Sequence, residues 1–253
     1  MKQAELMLRA DNVSKSFGPE GAATVALSGV DMSIRAGEFV TIVGASGCGK
    51  STLLNLFAGL DKPSSGTIEV NGKVALMFQE ATLLPWLTAR KNIELALNYA
   101  GVARADRDSR VAELLEIVRL GEWADKRPHE LSGGMRQRVA LARCLAQGAR
   151  IVLMDEPLGA LDAMTRDHLH DEIESIVKAQ GLTVVFVTHN MREAVRLGDR
   201  VILMGSRPGR VVYEQSVPLK RPRTMDSNDI ASRAADLTNR LKAEQGILEG
   251  ADS

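Results

Sequence analysis

The sequence has no net charge, with 32 Lys and Arg against 32 Asp and Glu. That balance speaks against a dedicated nucleic-acid binder, because neutralising phosphates needs a basic excess. Cysteine is scarce. Cys48 and Cys144 stand alone with no CxxC pair, so neither a disulfide framework nor a cysteine zinc site is expected, and a reducing cytoplasm suits them. Long apolar runs are missing as well: the longest, such as Thr183–Val187, are strand-length, far short of the roughly 20 residues that cross a bilayer. The opening stretch MKQAELMLRADN includes Glu5 and Asp11 and has no apolar core of signal-peptide length. Internal repeats and low-complexity segments are also absent. The expectation is a chain that neither spans a membrane nor is exported, which leaves open docking onto a partner that spans.

What is present is an ordinary globular composition, 45% hydrophobic and 25% charged over 253 residues, enough for one large domain or two packed ones. Phe39–Val43, Ile151–Met154, Thr183–Val187 and Val201–Met204 are continuous apolar blocks, the pattern of strands buried on both faces. Helical stripes lie between them. Val111, Leu114, Leu115 and Val118 form one, with Gly121 as its expected C-cap; Leu169, Ile173, Ile176 and Val177 form another, ending near Gly181. This alternation predicts an α/β fold. The shorter runs Leu6–Leu8, Val25–Leu27 and Met32–Ile34, broken at Gly18–Pro19 and Gly21, predict an N-terminal antiparallel β layer. Ile68–Val70 and Val74–Phe78 flank Asn71-Gly72 and read as a hairpin. From Ala81 to Gln147 the pattern is almost wholly helical, the mark of an inserted helical subdomain. Beyond Pro218 the chain turns polar, with Ile230, Ala234, Leu237 and Leu241 spaced for a last amphipathic helix.

Three strings carry chemistry. Gly44-Ala45-Ser46-Gly47-Cys48-Gly49-Lys50-Ser51 follows an apolar strand and precedes a helical run from Thr52, which is the phosphate-loop pattern in its required context. Glycines let successive N–H groups face a phosphate, the helix N-terminus adds partial positive charge, Lys50 suits the β- and γ-phosphates, and the Ser51 hydroxyl suits Mg²⁺. Ile151–Met154 ends in Asp155-Glu156. A carboxylate at a strand's C-terminal end beside such a loop is placed to ligate the metal, which fits Asp155, and Glu156 is placed to orient or deprotonate water. Leu131-Ser132-Gly133-Gly134-Met135-Arg136-Gln137-Arg138 opens a helix, making a second anion-binding N-terminus in the same chain.

Together with His189, these strings resemble the ATP-binding subunit of an ABC transporter, over nearly the whole chain from Met7 to Pro218 and in the family's order. The resemblance implies a P-loop ATPase core in residues 1–80 and 148–218, a helical subdomain in 81–147 and a C-terminal helical tail in 219–253. It implies ATP and Mg²⁺ as cofactors. Phe17 matches the aromatic residue that stacks on adenine. Gln79 matches the glutamine that touches metal and water, Asp162 the loop at the dimer interface, and His189 the γ-phosphate histidine. Leu83-Leu84-Pro85-Trp86, GlyAlaLeuAspAlaMetThrArg166 and SerArgProGlyArg210 look like the nitrate, sulfonate and taurine importer branch. Two departures from that branch are the short segment Gly72–Val74 and Leu158 where phenylalanine is common.

The implied partners are a second ATP-binding subunit and an integral-membrane permease held at Gln79–Trp86. A periplasmic or lipid-anchored binding protein is implied indirectly, and no nucleic acid. The implied location is the cytoplasmic face of the membrane. A non-transport relative acting on nucleic acid is disfavoured by the single cassette and the lack of sustained heptads. An exporter or lipid-trafficking ATPase stays open.

Overall fold

Each of the four continuous apolar blocks forms a strand. The computed structural model describes residues 5–19, 22–159 and 162–246. Gly21, expected at a break, and Ala160 and Leu161, expected in the loop leading to Asp162, lie outside them. The chain divides into two compact units, one drawn from residues 1–71 and 183–253, the other Gly72–Leu182. Among the described residues no helix is long and apolar enough to cross a membrane.

In the first unit, β1 (Leu6–Phe17) pairs antiparallel with β2 (Thr24–Arg35), and the strands β3 (Phe39–Gly44) and β4 (Ser65–Val70) follow in the chain. β4 pairs with β1 on its other side, so the antiparallel layer has the order β2-β1-β4. The short runs Val25–Leu27 and Met32–Ile34 both belong to this one β2. Gly29 takes φ 56°, a left-handed value open to glycine, and its N–H donates to Ser14 Oγ at 3.0 Å. The strand therefore bulges there instead of ending.

β3 lies between β7 (Thr183–Thr188) and β8 (Arg200–Gly205), parallel to both, and β9 (Arg210–Ser216) closes the edge antiparallel to β8. Every residue of β3 and β7 is buried, as two covered faces demand. Helix α1 (Lys50–Phe57) leaves β3 through the glycine-rich loop, α6 (Met191–Leu197) follows β7, and α7 (Asn228–Glu244) is the expected last helix. Ile230, Ala234 and Leu237 of α7 pack with Ala194 and Val195 of α6 and with Val43, Val201 and Leu203 of the sheet. Fully burying a side chain such as Ile230 or Leu237 stabilises by about 1.5–3 kcal/mol.

The second unit contains the helices expected in residues 81–147 together with two strands and a further helix. β5 (Val74–Met77) and β6 (Ile151–Asp155) pair in parallel, with Val74 opposite Ile151 and Met77 opposite Met154. The hairpin expected around Asn71-Gly72 does not form. Asn71 is bound to β1 through its backbone N–H to Met7 O (2.8 Å) and its carboxamide to Leu6 O (3.0 Å), so β4 and β5 belong to different units. Helices α2 (Ala89–Tyr99), α3 (Arg104–Ile117), α4 (Gly133–Ala146) and α5 (Ala163–Gln180) complete the unit. α5 ends at Gly181 in the left-handed conformation, as its sequence predicts. α3 ends earlier than expected: Val118 is its C-cap, and Gly121 starts a short 3-10 turn.

Candidate functional site

The register of the parallel strands positions the first unit's chemistry. Val43 of β3 lies opposite Thr188 of β7, so Gly44 and His189 leave neighbouring strands at the same carboxyl end. Open α/β sheets receive their ligands at that end. The loop turns into α1 at Gly49, whose φ of 90° is left-handed, and a Cβ there would lie 2.5 Å from Leu27 Cδ2 and 2.9 Å from Ala26 O. Only glycine fits both constraints. The first i→i−4 bond of α1 runs from Leu53 N–H to Gly49 O at 2.9 Å. The amides of Lys50, Ser51 and Thr52 precede it, the donors that a helix N-terminus offers an anion. Lys50 is buried, and its ammonium donates to Gly44 O (2.9 Å) and Ala45 O (3.0 Å); Ser51 is exposed.

Cys48 points inward. Its thiol is fully buried and accepts a long hydrogen bond from Lys50 Nζ at 3.8 Å. Burial pushes the thiol's pKa up, against the opposing pull of the Lys50 charge. Gly209, in the string read as a lineage marker, supports this loop. Its N–H donates to Ala26 O (3.0 Å), and Ser28 N–H donates to its carbonyl (2.9 Å). A Cβ on Gly209 would come within 2.8 Å of Ala26 O and closer still to the carbonyl oxygen of Cys48. Its role as a buttress was not legible in the sequence, where the glycine inside that string was the only signal.

His189 is exposed on a short, well-braced connection. Asn190 caps α6, its side chain accepting from Arg192 N–H (3.0 Å) and Glu193 N–H (3.2 Å). Asn190 N–H donates to Thr188 Oγ1 (3.0 Å), and the Thr188 hydroxyl donates to the buried Glu193 carboxylate. Phe17, at the end of β1, is 47% exposed with the Lys15 ammonium 4.9 Å from its ring centroid. The ring is thus a surface feature rather than part of the core.

The second unit repeats the logic with other residues. Because Met77 pairs with Met154, Gln79 and the Asp155-Glu156 pair follow adjacent strands at one end. Glu156 holds φ 45°, a left-handed backbone that a non-glycine residue rarely adopts and that recurs at functional sites. Its carbonyl accepts from Gly159 N–H at 3.0 Å. A Cβ on Gly159 would lie 3.2 Å from Gln79 Nε2, so the glycine leaves room for that carboxamide. Gln137 of α4, almost fully buried, donates to Gln79 O at 2.7 Å and ties the helix to this loop. At the start of α4, Ser132 accepts from Met135 N–H at 3.2 Å, with Gly133 and Gly134 in the first turn. Asp162 is exposed and caps α5, accepting from Thr165 N–H at 3.0 Å.

A cleft of about 380 Å³ lies along Gln79, Glu80, Thr82 and Leu83, walled by Arg136 and Gln137. The neighbouring Leu84–Thr88 loop hangs on Asn92, 1% exposed, a residue the sequence reading missed. Its carboxamide oxygen accepts from Leu84 N–H (2.9 Å), and its nitrogen donates to Leu84 O (3.3 Å), Leu87 O (3.3 Å) and Thr88 O (3.0 Å). Trp86 on that loop is 67% exposed, so core packing does not explain it.

A glycine-rich loop opening a helix at a parallel strand end, with a buried lysine inside it, defines a P-loop nucleotide-binding fold. Comparison with known proteins narrows this. The family model described as ABC transporter matches residues 27–159. The chain is 41% identical, over 83% of its length and 82% of the relative's, to a taurine import ATP-binding protein of Roseobacter denitrificans. It is 44% identical to an aliphatic sulfonates import ATP-binding protein of Mesorhizobium japonicum, over 90% of this chain and 86% of that one. It is also 44% identical to a bicarbonate transport ATP-binding protein of Synechocystis sp., over 86% of this chain but spanning only 35% of that longer relative. A solved dimeric ATP-binding cassette in a post-hydrolysis state, bound to ADP and Pi, superposes with TM-score 0.73 at 34% identity, covering 85% of this chain and all of that one. The chain belongs to the ABC transporter family, as an ATP-binding cassette.

Proposed function

We propose that this chain is the ATP-hydrolysing subunit of an ABC importer for a small anion of the sulfonate, taurine, nitrate or bicarbonate kind. It works as a face-to-face dimer on the cytoplasmic side of a separate membrane permease. The observation that carries the reading is the presence, in one chain, of a phosphate loop at the end of β3 and a second helix N-terminus at Ser132–Gly134 opening α4. Each offers unpaired amides to phosphate. The likeness to taurine and sulfonate import proteins supports the direction of transport and the class of solute. An exporter or a nucleic-acid machine gains no support from the relatives named above.

In the first unit, the loop amides and Lys50 bind the phosphates, Phe17 stacks on the adenine and His189 holds the γ-phosphate. In the second unit, Glu156 orients and deprotonates the attacking water, while Ser132–Gly134 faces the ATP of the opposite subunit, with Asp162 at the dimer interface. The proposed metal donors fit Mg²⁺: the hydroxyl of Ser51, the carboxamide oxygen of Gln79 and the carboxylate of Asp155 are all hard oxygen ligands. They are few enough that a bound ion would keep room for water and phosphate. Among the described residues no cluster of three or more His, Cys, Asp or Glu is placed to hold a metal. When bound, it supplies Lewis-acid polarisation of the phosphates. The cleft along Gln79–Leu83 and the exposed Trp86 take the permease; a substrate-binding protein outside the membrane acts only through that permease.

The test is the solution mass of Glu156→Gln with and without Mg-ATP. The expected result is ATP binding without turnover and a shift from monomer to dimer. A variant that hydrolyses ATP at the wild-type rate removes Glu156 from the chemistry, and a monomer with ATP bound refutes the two-half-site arrangement for the isolated chain.

A further inference from the structure

The polar tail after Pro218 contains a buried charge with many hydrogen bonds that the proposed mechanism leaves unused. Arg223 is only 5% exposed. Its guanidinium donates to Val195 O (3.0 Å), Arg196 O (3.1 Å) and Gly198 O (2.6 Å) at the end of α6, and to Val217 O (2.8 Å) and Leu219 O (3.0 Å) of its own strap. Nearby Arg221 donates to Leu197 O (2.5 Å) and to Asp199 (2.9 Å).

A helix leaves its last four carbonyls without intrahelical partners. Here all four are satisfied. Val195 O, Arg196 O and the C-cap Gly198 O accept from Arg223, and Leu197 O accepts from Arg221. Two cations at the negative end of the helix also complement its dipole. The other end of α6 is braced by Asn190, Thr188 and Glu193, directly after His189. A helix of seven residues is too short to hold its position by its own hydrogen bonds, so its placement depends on these two anchors. The apolar side tells the same story: Ile230, Ala234 and Leu237 of α7 press on Ala194 and Val195.

We propose that Arg223 is a positioning residue for ATP hydrolysis, clamping α6 from the tail so that His189 stands where the γ-phosphate needs it. This rests on the role proposed above for His189. The tail then has a mechanical part to play, with residues 219–244 the back-stop of the histidine connection rather than an appendage.

Arg223→Lys keeps the charge but loses the planar fork that reaches several carbonyls at once. On the full chain, kcat for ATP is expected to fall on the order of tenfold, since small displacements of a catalytic group carry losses of that size, with KM for ATP within about twofold. In the His189→Ala background the same change is expected to have no further effect on kcat, because groups acting through one another are not additive. Arg221→Gln, at a more exposed position, gives the same sign with a smaller loss and serves if Arg223→Lys folds poorly. The imidazole NMR signals of His189 provide a readout independent of turnover and must move in either variant. Unmoved signals, unchanged kcat in both variants, or an additive loss with His189→Ala overturns the proposal. A wild-type chain without ATPase activity, with His189 signals that still respond to Arg223→Lys, contradicts the proposed function and leaves the clamp standing.

Discussion

Gly209→Ala tests the idea that a remote glycine supports the phosphate loop. The added Cβ would sit 2.8 Å from Ala26 O and nearer still to Cys48 O. Ordinary carbon–oxygen contacts begin at about 3.3 Å, so the backbone must yield by about 0.5 Å against Ala26 and by more against Cys48. Neither neighbour is a side chain that can swing away. Overpacking of this kind costs about 1–3 kcal/mol of stability. The larger effect falls on function, because Cys48 lies inside the loop proposed to cradle phosphate. A displacement approaching 1 Å is expected to weaken ATP binding by about 10- to 100-fold, or roughly 1.4–2.7 kcal/mol. The assay is a fluorescent-nucleotide titration alongside thermal unfolding. Gly37→Ala is the control: Gly37 has φ 77° but open space around its would-be Cβ, so it adds backbone strain without a push on the loop. ATP affinity unchanged in Gly209→Ala, or equally reduced in Gly37→Ala, refutes the buttress.

Three further outcomes follow from the same geometry. Ser132→Ala removes the cap of α4 and is expected to cost about 1 kcal/mol, and in the Glu156→Gln background to abolish the ATP-dependent dimer seen by light scattering. Cys48 and Cys144 are both buried, so a maleimide at neutral pH should label the native protein slowly and the unfolded protein fast; rapid labelling of the native form contradicts the inward thiols. Burial pushes the Cys144 thiol from its ordinary 9.0 up to about 12. The unfolded chain therefore loses that proton first. The stabilisation is complete below pH 9.0 and declines as pH rises toward about 12, and Cys144→Ala should flatten that part of the denaturation profile.

The sequence made the chemistry easier to read than the architecture. Lys50, Ser51, Ser132 and the Asp155-Glu156 pair stand out in the sequence because the phosphate binding proposed for them would demand particular residues in a fixed local order. The four apolar blocks were equally plain, because strands buried on both faces leave no room for polar positions. Asn71-Gly72 misled because the turn preference is local, whereas Asn71 is held by β1 and β5 by a strand some 75 residues further on. The runs Val25–Leu27 and Met32–Ile34 did not reveal that one strand, β2, joins them through a bulge at Gly29. Arg223 was invisible for a different reason: in the string LysArgProArg nothing distinguishes a solvated arginine from one that reaches five carbonyls, and only the tertiary fold makes the difference.

The left-handed backbone at Glu156 has a consequence for anyone improving this protein by selection. A glutamate at φ 45° is disfavoured by about 1–2 kcal/mol relative to a residue without a Cβ. Glycine at that position would relax the chain and delete the carboxylate in one step. If Glu156 deprotonates the attacking water as proposed, a library sorted for heat resistance alone would enrich molecules that bind nucleotide without turning it over. On that role hardiness and turnover compete for a single codon, and any directed evolution of this cassette has to score both.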